Sequence, residues 1–209
     1  MSPTVKSIPT HSVPVLVRSP DVNRMFGIFE VDSARITDEH IRICSIPASP
    51  FREQERSFYF RDKLFALGLQ ASIDEEGNCI ALRPGNSLAP LIVISAHLDT
   101  VFPDGTDFIV RSIDGKLFGP GVADDGCGLA AVLALVEACQ SCSLRTEGSI
   151  LFVATVGEEG EGNLRGVRHL FTSGTWANKI DAFVSFDGPG LERITNRGLG
   201  SRRYRVQLR

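Results

Sequence analysis

The sequence predicts a layered α/β fold built on a mixed, largely parallel sheet. Three observations lead there. The runs Leu91–Ala96, Ser149–Thr155 and Asp181–Phe186 are nearly continuous apolar stretches, as expected of strands covered on both faces. Helical patterns separate them, above all the Ala/Leu/Val run from Gly128 to Cys139. Strands that alternate with helices in this way form parallel pairs through crossover connections.

The remaining elements follow in order. Residues 1–22 hold four prolines and little periodicity, and read as a poorly ordered leader. Asp38–Cys44 can form a helix capped by Thr37 or Asp38 and broken by Ser49-Pro50. Glu53–Leu67, with Phe58, Phe60, Leu64, Phe65 and Leu67, is a second helix expected to pack on the sheet, with Gly68 as its stop. Ala71–Ile73 and Cys79–Arg83 flank the turn Asp74–Asn78 as a hairpin, and Phe108–Ser112 and Lys116–Phe118 flank Asp114-Gly115 as another. Leu164–Phe171 reads as a short helix, and Arg193–Arg209 as one or two strands.

Composition narrows the function. A chain of 209 residues, 43% apolar, can bury a substantial core as one large or two small domains. Its net charge of −3 gives no basic footprint, which argues against nucleic acid or an anionic membrane as the main partner. No apolar run reaches the roughly eighteen residues that a membrane span needs, and the first twenty residues lack a signal-peptide core. The cytoplasm is the expected location. Five scattered cysteines, Cys44, Cys79, Cys127, Cys139 and Cys142, fit reduced thiols there. Cys139 and Cys142 form a C-x-x-C, but it closes a helical run, whereas thioredoxin-like motifs open one.

The chemistry lies where the apolar runs end. They lead to His97-Leu98-Asp99, to Glu158-Glu159 and to Asp187, while Asp124-Asp125 precedes the Gly128 helix. Each alone has an ordinary explanation: a strand-ending turn, a helix cap, a solvated acidic loop. Jointly they converge, because α/β sheets place ligands at the carboxyl ends of their strands. Unpaired carboxylates at four such places are costly to desolvate, and a pair of divalent cations would reverse that cost. His97 and Asp99, two apart on an extended backbone, aim the same way. Of the two aspartates one suffices as a cap, leaving its neighbour free to bridge two ions. Of the two glutamates one can bind metal while the other faces a water as general base. A phosphate-cradling reading of Gly119–Gly128 is disfavoured, since the Lys-Ser/Thr of a P-loop is missing and the carboxylates would repel phosphate.

Ser95–Val101 (SAHLDTV), Phe118–Asp125 (FGPGVADD), Val156–Gly160 (VGEEG) and Ser185–Gly188 (SFDG) resemble, in order and spacing, the M20 family of zinc metallopeptidases, which includes tripeptidases, carboxypeptidases, aminoacylases and related deacylases. The resemblance implies a three-layer αβα catalytic core over residues 23–209, and an amide hydrolase acting on small peptides or N-acyl amino acids. It further implies two divalent ions, zinc first, with cobalt or manganese accepted by such mixed sites. His97 and Asp187 would be metal ligands, Asp124 the bridge and Glu159 a ligand of one ion. Asp99 would be the partner of His97, Glu158 the general base, and Asp124–Asp125 a cis peptide.

Two departures stand out. Many family members have Lys after the paired aspartates, where this chain has Gly126-Cys127. The family also interrupts its catalytic domain with a lid or dimerisation domain, and a later segment supplies a final histidine ligand. The chain is therefore expected to be truncated before the lid, from a parent enzyme that can be a homodimer. His11, His40 and His169 are not expected to replace the last ligand. The alternative expectation is a catalytically incompetent fragment that at most binds metal.

Overall fold

Leu91–His97 (β3) and Ser149–Thr155 (β6) form the sheet's centre because their residues are mostly apolar and mostly buried. The computed structural model describes residues 12–188, 190–198, 200, 204 and 206–208. Five strands assemble in the order β1-β2-β6-β3-β7, where β1 is Ala71–Ile73, β2 Cys79–Arg83 and β7 Ala182–Ser185. The β6–β3 and β3–β7 pairs are parallel, while β1–β2 and β2–β6 are antiparallel. In register, His97 faces Thr155 and Ser95 faces Ser185, so three parallel neighbours end together.

Alternation along the strands divides the core in two. Phe152 and Ala154 of β6 point toward Phe60 and Leu64 of α4 (Gln54–Ala66) and Leu129, Val132 and Val136 of α5 (Cys127–Ser141), with Ile43 of α3 (Ser33–Cys44) alongside. Leu151 and Val153 point the other way, toward Leu170 of α6 (Arg165–Thr172) and Trp176. Helices on both faces make three layers. The α4 helix ends as expected at Gly68, whose φ of +85° lets the Leu69 amide reach back to Leu64 O at 3.0 Å. A separate hairpin joins β4 (Arg111–Ile113) and β5 (Lys116–Phe118) through Asp114 and Gly115, both at positive φ.

The structure differs from the sequence reading at four places. The leader expectation falls partly on residues 1–11, which lie outside the described residues, but residues 12–22 hold α1 (Ser12–Val17) and the start of α2 (Pro20–Val31). Here proline starts a helix instead of preventing one: Pro20 takes its first position and Ser19 Oγ accepts the Val22 amide at 3.3 Å. The helix expected at Asp38 begins at Ser33. The third apolar run is an edge strand, largely exposed, because it has β3 on one side and no described strand on the other. Among the described residues of 193–209 there is no strand.

Phe152 of β6 is fully buried between the sheet and the helices. Phe152→Ala is expected to lower the unfolding free energy by about 3–5 kcal/mol, read from the midpoint of a denaturant titration at unchanged slope.

Candidate metal centre

The parallel strands carry the site at their carboxyl ends. His97 is the last residue of β3, the central strand of the three, and Asp187 lies two residues past β7 on one side. Glu158 and Glu159 follow β6 on the other. Asp124 comes from above, on the irregular segment Val122–Gly126 that leads into α5, and its peptide bond to Asp125 is cis. Nitrogen or oxygen atoms of His97, Asp124 and Asp187 all lie within 4.8 Å of one another, and so do those of His97, Glu158 and Glu159. His97 Nε2 is 2.8 Å from Asp124 Oδ1 and 3.9 Å from Asp187 Oδ1. The structure thus brings four carboxylates to one imidazole.

The imidazole is aimed by main-chain atoms. His97 Nδ1 donates to the backbone carbonyl of Asp99 at 2.9 Å, which directs Nε2 to the acidic cluster. The Asp99 carboxylate, 3.7 Å from Nδ1, does something the sequence did not suggest. Its Oδ1 accepts the Glu158 amide at 3.0 Å and its Oδ2 the Glu159 amide at 2.8 Å. Asp99 thereby ties the end of β3 to the turn after β6.

Asp125 plays the second unforeseen part. It is fully buried, and accepts the His97 amide at 3.0 Å and the Gly128 amide at 3.1 Å. One aspartate of the pair is therefore the anchor at the helix start, and Asp124, its side chain 48% exposed, is the one turned to the cluster. The amides of Gly126 and Gly128 are taken by the Gly121 carbonyl and Asp125, so neither is free for a phosphate. Arg56, almost wholly buried, donates to the carbonyls of Leu98, at 2.7 Å, and Ile46 and so fixes the bend between His97 and Asp99. No motif flagged Arg56, since one charged residue in an otherwise amphipathic helix looks like any surface arginine.

Electrostatics separate these groups. Burial would lower the His97 pKa, but the hydrogen bond to Asp99 and the charges of Asp125, Asp99 and Asp124 override it and push it up to about 10. Burial raises Asp125 to about 7 against the pull of His97. It also raises Glu158, Glu159 and Asp187, helped by their mutual repulsion. Asp99 goes the other way: burial opposes, but His97 and the two amides hold it below the usual carboxylate range. Among the described residues no Lys or Arg pairs with Asp124, Asp187, Glu158 or Glu159, and His97 alone offsets them. One imidazole with several carboxylates at ligand spacing is a donor set that fits divalent cations.

His40 and His169 stand apart from the cluster. His40 Nε2 meets the Val122 carbonyl at 2.7 Å behind the loop, and His169 pairs with Glu75 at 3.2 Å on the surface. His11 lies outside the described residues. Burial raises the Cys139 thiol, the reverse of what a redox cysteine requires.

Residues 93–206 match the model of peptidase family M20/M25/M40. The chain belongs to this family. It is 35% identical over 148 residues to a probable succinyl-diaminopimelate desuccinylase of Staphylococcus epidermidis, a match covering 66% of this chain and 35% of that protein. It is 33% identical over 111 residues to a putative LysW-lysine/LysW-ornithine hydrolase of Pyrococcus abyssi, covering 52% and 29%. The chain thus spans about a third of the length of these M20 relatives. The fold is that of the Bacillus cereus aminopeptidase PepT (TM-score 0.62, 22% identity, 75% of this chain, 44% of that one). It is also that of the Bacillus subtilis protein YxeP, described as a dinuclear metal-binding M20 peptidase (TM-score 0.54, 15% identity, 76% and 43%). Among the described residues no helix is long and apolar enough to cross a membrane.

Asp125→Ala would leave the buried His97 amide without an acceptor. It should cost about 1–3 kcal/mol of unfolding free energy. Asp125→Asn, which keeps one acceptor oxygen, should cost less; paired denaturant titrations check both.

Proposed function

We propose that this chain carries the two-metal half-site of a hydrolase that cleaves amide bonds in small peptides or N-acyl amino acids. The single observation that carries this is the meeting of Asp124, Asp187, Glu158 and Glu159 around the His97 imidazole, with no Lys or Arg among the described residues paired to them. His97 and Asp187 would hold one ion, Glu159 the other, and Asp124 would bridge them. Zinc suits the mixed nitrogen and oxygen donors, with cobalt and manganese as substitutes. Bound ions would polarise the scissile carbonyl and make the attacking water more acidic.

Within that frame each residue has a task. Glu158, raised by burial, accepts the proton of the attacking water and passes it to the leaving amine. Asp99 keeps Glu158 and Glu159 in place through their amides, and its carbonyl keeps His97 turned. The relatives point to the substrate class: succinyl-diaminopimelate, a LysW-linked amino acid and di- or tripeptides all present an amide beside an amino-acid unit. The cysteines are free, and we place the protein in the cytoplasm.

A second reading has an observation of its own. His97 is the one histidine that the described residues bring to the cluster, and the chain spans about a third of its curated relatives. On that reading these 209 residues bind ions without turnover.

Hydrolysis of tripeptides and N-succinyl amino acids by protein loaded with Zn²⁺, Co²⁺ or Mn²⁺ tests both. The first reading expects turnover that chelation removes. Glu158→Gln should lower kcat by roughly 10²–10⁴-fold and leave ion stoichiometry intact. Binding without turnover favours the second reading, and absence of binding overturns both.

Ion and proton compete for His97, whose pKa stands at about 10 in the ion-free protein. Binding near neutral pH should therefore release a proton, and affinity should climb as pH rises toward that value. Calorimetry in buffers of different ionisation enthalpy reads the proton count directly.

A further inference from the structure

A buried ion pair outside the cluster sets the turn that bears Glu158 and Glu159. Glu53, just ahead of α4, is 3% exposed. Its Oε1 accepts the Gly157 amide at 3.1 Å, and its Oε2 receives Arg165 Nη2 at 2.7 Å. Arg165 Nη1 reaches the carbonyl and carboxylate of Glu76 at 2.8 and 3.0 Å, and its guanidinium lies 5.1 Å from the centre of the Phe51 ring. The main chain closes the loop, since the Arg165 amide donates to the Gly157 carbonyl at 3.3 Å. Gly157 sits at φ +62°, and a Cβ there would fall 2.6 Å from Arg165 Cγ. The stem of Arg165 therefore lies flat against the turn.

Three consecutive amides, those of Gly157, Glu158 and Glu159, are thus accepted by carboxylates from two separate elements, Glu53 and Asp99. Desolvation offsets much of a buried pair's attraction, so such a pair is a weak source of stability. Charge-assisted hydrogen bonds are short and directional, so it is a strong source of geometry. Neither Glu53 nor Arg165 bonds to His97, Asp124 or Asp187, which hang on β3, β7 and the segment before α5.

We propose that Glu53 and Arg165 are positioning residues that fix the turn bearing Glu158 and Glu159, and through Glu159 one of the two ions, an inference that rests on the metal-site reading above. Their loss should weaken that ion selectively. A merely structural pair would instead weaken both ions together as the fold loosens.

The test is Co²⁺ titration by calorimetry of the wild type, Glu53→Gln, Arg165→Lys and the double variant E53Q/R165M, which strands no charge. Hydrogen exchange at amides 157–159 of the ion-free protein runs beside it. The expected result is a roughly 10–100-fold loss of affinity at one ion, the other unchanged, with faster exchange at 157–159 while β6 stays protected. Wild-type affinities in the Lys and double variants, or a parallel loss at both ions that tracks thermal stability, overturn the proposal. A wild type that binds no Co²⁺ sinks the metal reading instead; the exchange rates then decide on the pair alone, and unchanged rates reject it.

Discussion

Carboxylates crowd a single imidazole at the end of β3, and the surrounding structure is arranged to keep them there. Two of them are neutralised by the main chain. Asp99 and Asp125 are buried and accept two amides each, which is how a low-dielectric interior tolerates a carboxylate. The others, Asp124, Asp187, Glu158 and Glu159, project into the open end of the sheet with His97 as their counter-charge. The first group holds the second in place: Asp99 through the amides of the two glutamates, Asp125 through the amide of His97. Repulsion among the projecting groups is therefore resisted by hydrogen bonds to the backbone.

Most of the architecture was legible in the sequence, because buried parallel strands have a plain signature. Leu91–His97 and Ser149–Thr155 are mostly apolar and mostly buried, and the acidic residues follow in the turns after them. The same signature misled at Ala182–Ser185. An apolar run reports what a strand can bury, not how many neighbours it has, and β7 is an edge. Prolines misled at the other end, since Pro14 lies within α1 and Pro20 opens α2.

Within the site, the motifs marked every side chain that meets at His97, but not the bonds that hold them. Sequence suggested the Asp99 carboxylate as the partner of the imidazole; it stands 3.7 Å from Nδ1 and also accepts the two glutamate amides, while the carbonyl of the same residue accepts the Nδ1 proton. Such divisions depend on distances between elements far apart in the chain. Glu53 and Arg165 were invisible for the same reason: 112 residues separate them, and each reads as an ordinary helix-end charge.

The glycine after the paired aspartates shows how the helical layer reaches the centre. A Cβ at Gly126 would lie 2.2 Å from Cys44 Sγ and 2.9 Å from the Gly121 carbonyl. Any side chain there would push α3 off the loop. With glycine, α3 closes on it from behind: His40 meets the Val122 carbonyl and Cys44 the Gly121 carbonyl. Burial drives the Cys44 thiol up to about 12, so it stays neutral beside the acidic cluster. The segment that delivers Asp124 is thus clasped between α3 and the start of α5. The absence of a larger residue at 126 is a packing requirement of this chain, met by helix α3, and it makes an N-terminal helix part of the support for Asp124.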